Sequence, residues 1–500
     1  MSEGTEASRP NILVLMSDQH SKRQLGCYGD SLVRTPNLDR LASEGMLFDN
    51  AYCPAPVCVP SRMSFMTGRT PTGNRVWTNQ NVLHSGIPTW AHSLGIAGYE
   101  TALIGRMHFV GPDQRHGFER RPLGEYMATH PGAPMQGEPI FRDIPKDTTS
   151  QHRVSVEMAG VGLTSYNAFD DMVTDTLVEY LDEKASGRDG PFAAVAGFMM
   201  PHCPFFAPEA LFDYYYDKVD VPMPTMEELE RQPQAVKDMK KLRHIDEPLT
   251  EHQIRVARAA YYGMCELFDA SVGRVLDKLD ETGLAKDTLV VYTTDHGEAA
   301  GKHGMWWKSS YYEESVGVPL IARLPGVVPS GSRNRVICNT LDLAPTFVEA
   351  AGAGELPGIA GRSLWTELQG CTDQTRPDET FSELHGMTGV PGLGTDPPSR
   401  MVRQGPWKLY YYRGHDSPAL FNLDDDPGEL HDLGPDPAYA LVRERLMARL
   451  LDGWDPDDIY EQSTAMLREM DIIKEWGATV QPVHEDALPV PPDAEHIELR

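Results

Sequence analysis

Pro10-Asn-Ile-Leu-Val-Leu-Met-Ser-Asp18 is a short, unbroken apolar run that ends in a carboxylate. A strand with one wet face alternates apolar and polar residues. Apolar residues at successive positions instead describe a strand covered on both faces, as in a parallel sheet layered with helices. In such sheets the functional edge lies outside the carboxyl ends of the strands, where Asp18 and Gln19 emerge. Three further runs repeat the pattern. Tyr99 to Gly105 leads into Arg106 and His108, Phe192 to Phe198 into Pro201-His202-Cys203-Pro204, and Thr288 to Thr294 into Asp295-His296-Gly297. Helical spacing lies between them: Thr35-Pro36 opens a helix with Leu38 and Leu41 inside that Gly45 closes, Val173, Leu177 and Leu181 recur at three and four, and a long amphipathic stretch runs from about Thr250 to Asp280. The expected fold is α/β, a large mostly parallel sheet sandwiched by helices.

Five hundred residues exceed one ordinary core, so one large domain of about 350 residues and a smaller one are expected. The pattern changes near Thr372. Shorter strands follow, Met401-Val-Arg, Trp407 to Tyr412 and Ala419 to Leu423, with the turn Asp424-Asp-Asp-Pro-Gly428 between elements. They predict an antiparallel sheet. The division is therefore 1–371 and 372–500, the second part finishing in a helix from Ala438 to Leu451 and an acidic, Pro-rich tail. The Gly-, Pro- and Met-rich stretch from Leu123 to Ile144 reads as a long surface loop, a length often functional.

The formal net charge is −28, which argues against nucleic acid or an anionic membrane as a partner, since both are held by clustered Lys and Arg. The first ten residues have no apolar core of a signal peptide, and no apolar run is long enough to span a bilayer. Seven cysteines, an odd number without repeating spacing, do not resemble a disulfide framework and fit a reducing compartment. A cytoplasmic protein is expected, and an oligomer of identical chains is compatible with the composition.

The chemistry concentrates in Cys53-Pro-Ala-Pro-Val-Cys58-Val-Pro-Ser-Arg62-Met-Ser-Phe-Met-Thr-Gly68. Pro60 suits a first helical turn and Gly68 its end. Cys58 then sits at the amino end, where free amides and the helix dipole favour a thiolate or a bound oxyanion. Arg62, four residues on, shares its face. Asp18-Gln19 and Asp295-His296 are two strand-end carboxylates, each followed by a second potential ligand. Together they suggest a hard divalent ion, Ca²⁺, Mg²⁺ or Mn²⁺, and the imidazole moves the choice towards Mn²⁺ without excluding Ca²⁺.

Cys58-Val-Pro-Ser-Arg62 is similar to the signature of the sulfatase family, within the alkaline-phosphatase-like superfamily. The order Asp18-Gln19, Cys58 to Arg62, Gly105-Arg-Met-His108, Pro201-His202, Asp295-His296-Gly297 and Lys308 resembles that family over roughly residues 10 to 435. The resemblance implies that a maturation enzyme oxidises Cys58 to formylglycine, whose hydrate attacks sulfur and then expels sulfate. It implies one divalent metal, Ca²⁺ or Mn²⁺ before Mg²⁺, held by Asp18, Gln19, Asp295, His296 and residue 58. Arg62 would stabilise the hydrate, Arg106 and Lys308 would hold sulfate oxygens, His202 would protonate the leaving alcohol and His108 would work on the diol. Asn79 is singled out by its position relative to the family pattern, as a substrate contact. Residues 105 to 119 are most similar to the branch that hydrolyses choline sulfate, where Phe381-Ser-Glu383 falls at the carboxylate that meets the quaternary ammonium. The chain departs from that branch in three places: Arg106 stands where the family has Lys, the loop around His130 has no Trp, and the tail differs. The substrate implied is a small sulfate monoester, choline sulfate first. A phosphonate monoester or phosphodiester hydrolase, or a carbohydrate sulfatase, is the alternative on the same site. Trp306, Trp307, Tyr311 and Tyr312 read as packing residues, with a cation cage beside Lys308 as the alternative.

Overall fold

A computed structural model describes residues 9–126, 146–187, 190–385, 397–480, 488, 491 and 494–500. The strands are β1 (Asn11–Ser17), β2 (Met46–Tyr52), β3 (Glu100–Gly105), β4 (Arg120–Leu123), β5 (Gly160–Leu163), β6 (Phe192–Gly197), β7 (Phe206–Ala207), β8 (Thr288–Thr294), β9 (Leu320–Arg323), β10 (Ser332–Asn339), β11 (Glu379–Leu384), β12 (Ser399–Gln404), β13 (Trp407–Tyr412), β14 (Ala419–Asn422) and β15 (His496–Leu499). Eight of them form one sheet in the order β10-β2-β9-β8-β1-β6-β3-β4. Neighbours are parallel except at β9, which is antiparallel to β2 and β8. The apolar runs of β1, β6 and β8 occupy its centre and are buried along their lengths.

The flanking helices follow the spacing that predicted them. Pro36–Glu44 turns Leu38 and Leu41 inward, and the 32-residue helix Glu251–Thr282 starts on a Thr250 capping box and stops at left-handed Gly283. That long helix packs against both Pro36–Glu44 and Ser165–Ser186. None of the helices among the described residues is long and apolar enough to cross a membrane.

The second sheet is antiparallel, β11-β12-β13-β14. The helix Ala440–Leu451 lies on β12 and β13, and its Leu446 and Leu450 join Val402, Leu409, Leu420 and Trp454 in a small second core that also takes in Trp77. The tail differs from its expected form, because Pro456–Val480 is a 25-residue helix. Its signal was present: Pro456 in the first turn, and Ile459, Met466, Met470 and Ile473 at helical spacing, with Ile459 and Met470 buried. Proline enrichment is confined to the residues beyond it. β15 then returns to pair antiparallel with β5, which is parallel to β7. Of the loop predicted from Leu123 to Ile144, residues 127–144 lie outside the described residues, as does His130.

Candidate active site

Four strand ends build the site. β1 and β8 are parallel neighbours in register, Ser17 opposite Thr294, so the next residues, Asp18 and Asp295, leave the sheet side by side. β3 and β6 are likewise paired, Gly105 opposite Gly197, and deliver Arg106 and His108 beside the Met199–His202 turn. The two glycines are required here: a Cβ on Gly197 would stand 1.7 Å from the Arg106 carbonyl oxygen, and Gly105 has φ +82°. Cys58–Thr67 is a helix in which every residue is buried. Gly68 closes it in the left-handed conformation, φ +66°.

At its amino end the Val59 N–H donates to Asn79 Oδ1 at 2.9 Å. Asn79 thus satisfies one of the amides that a helix leaves free, and holds the turn carrying Cys58. Ser61 Oγ donates to the Asp295 carbonyl at 2.6 Å, which ties the same turn to β8.

Arg62 decides how the aspartates face. Its Nε donates to Asp295 Oδ2 at 2.8 Å and its Nη2 to Asp18 Oδ2 at 3.1 Å, while Arg106 Nε takes the same Asp18 Oδ2 at 2.7 Å. Both Oδ2 atoms are thereby occupied and both Oδ1 atoms are turned to the opposite side. There His296 Nε2 lies 3.8 Å from Asp18 Oδ1 and 3.6 Å from Asp295 Oδ1. Cys58 Sγ lies 3.1 Å from His296 Nε2 and 3.8 Å from Asp18 Oδ1. Asp18, Cys58, Asp295 and His296 have ligand atoms all within 4.8 Å of one another, a donor set suited to a divalent cation. His296 is prepared for ligation, since its Nδ1 donates to the Gly297 carbonyl at 3.1 Å and leaves Nε2 without a proton. Burial, against the pull of the aspartates, brings its pKa down to about 4. Burial pushes the Asp18 carboxyl up, but the cations around it, Arg106 first, outweigh that and hold it well below the ordinary range.

Lys308 closes the other side. Its Nζ donates to Gln19 Oε1 at 2.7 Å, lies 3.4 Å from Cys58 Sγ and 2.7 Å from His202 Nε2. His202 Nδ1 faces the Cys203 carbonyl at 2.6 Å. A carbonyl only accepts, so the proton of this imidazole is on Nδ1 and Nε2 accepts from Lys308. His202 and Lys308 are thus in direct contact, an imidazole nitrogen facing an ammonium. Burial pulls the Lys308 pKa down, while the negative charge about it, from Cys58 and then Asp18, raises it by more.

His108 is held by Arg106. Its Nδ1 is 2.8 Å from Arg106 Nη2, and a guanidinium only donates. Burial and then the Arg106 charge hold its pKa well below the usual imidazole value. His108 is thus a neutral ring that offers Nε2–H.

Glu383 is buried on β11. Its Oε2 accepts from Thr72 N at 2.9 Å and Thr72 Oγ1 at 2.7 Å, and Oε1 lies 3.7 Å from Arg400 Nε. The carboxylate is therefore already partnered by a hydroxyl, an amide and a cation. Trp306, Trp307, Tyr311 and Tyr312 are all buried packing residues, Trp307 donating through Nε1 to Ser155 Oγ.

Sequence reading missed three carboxylates around the site. Glu298 Oε2 accepts from Gln19 Nε2, Glu125 Oε1 accepts from the Met107 and His108 amides, and Asp170 accepts from those of Met199 and Met200. Glu298, one residue after Asp295-His296-Gly297, was within reach of inspection. Glu125 and Asp170 carry no local signal.

The family model for Sulfatase matches residues 10–353, and one for the C-terminal part of N-sulphoglucosamine sulphohydrolase matches residues 301–454. The chain is 32% identical over 452 residues to the choline-sulfatase of Rhizobium meliloti (strain 1021), covering 88% of this chain and 85% of that one. It is 28% identical over 474 residues to arylsulfatase K of Danio rerio, covering 90% and 85%. Among solved structures it resembles the phosphonate monoester hydrolase of Agrobacterium radiobacter, TM-score 0.72 at 23% identity, covering 89% of this chain and 95% of that one. With the parallel sheet, the strand-end carboxylates and the Cys58 helix in the family's order, the chain belongs to the sulfatase family, hydrolases acting on sulfate esters.

Proposed function

We propose that this enzyme cleaves a small alkyl or aryl sulfate monoester to alcohol and sulfate, with residue 58, matured to formylglycine, as the nucleophile. One observation carries the reading: Cys58 Sγ lies among the ligand atoms of Asp18, Asp295 and His296 and beside the Lys308 ammonium. Asp18, Asp295 and His296, with Gln19 Oε1 and residue 58, would hold a divalent metal, Ca²⁺ or Mn²⁺ by donor type. The metal would lower the pKa of a hydroxyl on the matured side chain, and that hydroxyl is the nucleophile the chemistry needs.

The chain's own residues do the rest. Arg62 sets its guanidinium against the outer oxygens of both aspartates and so supplies positive charge opposite the metal position. Arg106 and Lys308 supply positive charge to the sulfate oxygens, and His108 adds its Nε2–H. Lys308, steered by His202 Nε2, carries the proton for the departing alkoxide.

For the alcohol, choline is the first choice, supported by the 32% identity to the Rhizobium enzyme. Glu383 is the residue proposed to read its charge, Asn79 acting through the nucleophile's helix. A phosphonate monoester hydrolase is the second reading, favoured by the likeness in fold.

Mass spectrometry of the Cys58 peptide, from a host with the maturation enzyme, should find aldehyde in place of thiol, with Cys58→Ala inactive on every sulfate ester. Full activity of Cys58→Ala would refute the mechanism. Glu383→Gln should raise KM for choline sulfate and spare a neutral aryl sulfate. Equal effects would favour a carbohydrate sulfate, and faster turnover of phenyl phosphonate esters would favour the second reading.

A further inference from the structure

Gln19 is the one proposed metal ligand whose useful atom depends on which way an amide is turned. Its oxygen can bind a cation and its NH₂ cannot, and the two ends have nearly the same shape. Here the backbone leaves no freedom: Gln19 has φ +65°, its N–H donates to Asp295 Oδ1 at 3.2 Å and its carbonyl accepts from Tyr261 Oη at 2.8 Å. The side chain ends between two groups of opposite kind, Lys308 Nζ at 2.7 Å from Oε1 and Glu298 Oε2 at 2.6 Å from Nε2.

Glu298 is itself pinned. Its Oε1 accepts from the Ala300 N–H and from the Trp307 N–H, each at 2.7 Å, and the side chain is fully buried. Those two amides span the turn that runs from Asp295-His296 to Lys308, so one carboxylate both shapes that turn and aims its free oxygen at Gln19. The same Lys308 ammonium touches Gln19 Oε1 and Cys58 Sγ, which puts the Gln19 oxygen on the nucleophile's side of the amide. A carbonyl oxygen has two lone pairs, so the contact with Lys308 leaves one for a metal.

We infer that Glu298 is a positioning residue that sets the orientation of the Gln19 amide, turning its oxygen to the metal position and its NH₂ away. The inference rests on the metal reading above and concerns a step before catalysis, the affinity of the site for its ion. The partner that orients a ligand typically alters metal affinity 10–100-fold when it is replaced.

Glu298→Gln isolates the effect. The amide introduced by this change keeps an oxygen for the Ala300 and Trp307 N–H groups but presents NH₂ to the NH₂ of Gln19; Gln19 then either keeps that repulsive contact or flips and sets its NH₂ against the Lys308 ammonium, and in both cases its oxygen is held less firmly at the ion. Titration of chelator-stripped protein with Ca²⁺ and with Mn²⁺, by calorimetry or against a fluorescent chelator, should show roughly 10- to 100-fold weaker binding, with the metal-free melting curve unchanged. The transposed double variant Gln19→Glu/Glu298→Gln restores one acceptor facing one donor at unchanged total charge, and should recover the affinity. Wild-type affinity in Glu298→Gln overturns the inference. So does weakened binding that the double variant fails to recover, since the loss then does not pass through Gln19. If the wild-type protein takes up neither ion, the metal reading itself falls and this inference with it. Should Glu298→Gln alone fail to fold, the double variant decides: affinity far below wild type overturns the proposal, and recovery supports it.

Discussion

Arg106 Nη2 and His108 Nδ1 lie 2.8 Å apart, and because a guanidinium can only donate, that contact settles the tautomer of His108. A Lys at position 106 would offer a rotatable point charge in place of a planar fork that joins Asp18 to the imidazole. The expected consequence is spectroscopic. Long-range ¹H–¹⁵N correlations of His108 in the metal-free protein should show the Nε2–H tautomer, with no imidazolium forming as pH falls from 8 to 6, because burial and the Arg106 charge hold its pKa well below the ordinary 6.5. A protonation step within that range would return His108 to the set of titrating groups.

Asp295→Asn removes the charge from a carboxylate that Arg62 holds on one side and that faces His296 on the other. Metal affinity should drop more than about 10-fold and turnover should be lost, the fold being retained by its surrounding sheet. Metal content of the purified variant checks this. Unchanged stoichiometry would take Asp295 out of the ligand set.

Gly197→Ala tests the packing that brings β3 and β6 together beneath Arg106. The added Cβ would meet the Arg106 carbonyl carbon and oxygen at 2.6 Å and 1.7 Å, both backbone atoms that cannot swing aside. Chemical denaturation should report a loss of about 3 kcal/mol or more, at the upper end of overpacking effects. A near-neutral result would mean that the two strands separate without cost.

Glu314 gives a pH-dependent contribution away from the chemistry, its Oε2 3.6 Å from His303 Nε2 and both side chains buried. Burial pushes the Glu314 carboxyl up, but the neighbouring His303, then Arg23, bring it down to about 2. A carboxylate whose pKa is depressed on folding adds stability that is complete above its unfolded value and is lost as pH falls towards the folded one. The window here runs from about 4.5 down to about 2. The stability difference between wild type and Glu314→Gln should therefore shrink by roughly 1 kcal/mol between pH 6 and pH 3.5. A difference that stays constant with pH would show that the pair contributes through packing alone.

The central strands, the strand-end residues Asp18, His202 and Asp295, and the Cys58 helix with its Gly68 stop were legible in the residues alone. Each depends on a local rule: unbroken apolar runs for strands covered on both faces, proline and glycine at helix ends, and polar residues where a strand leaves the sheet. That Asp18 and Asp295 stand side by side follows only from the parallel register of β1 and β8, a pairing across more than 270 positions that no local pattern encodes. The proton positions on His108 and His202, the turning of both aspartates by Arg62 and the hold of Glu298 on Gln19 are decided by what lies opposite each atom in three dimensions. The helix Pro456–Val480 lay between these cases. Its periodicity was written in the sequence, but the acidic and proline-rich composition around it obscured a pattern that buries only Ile459 and Met470.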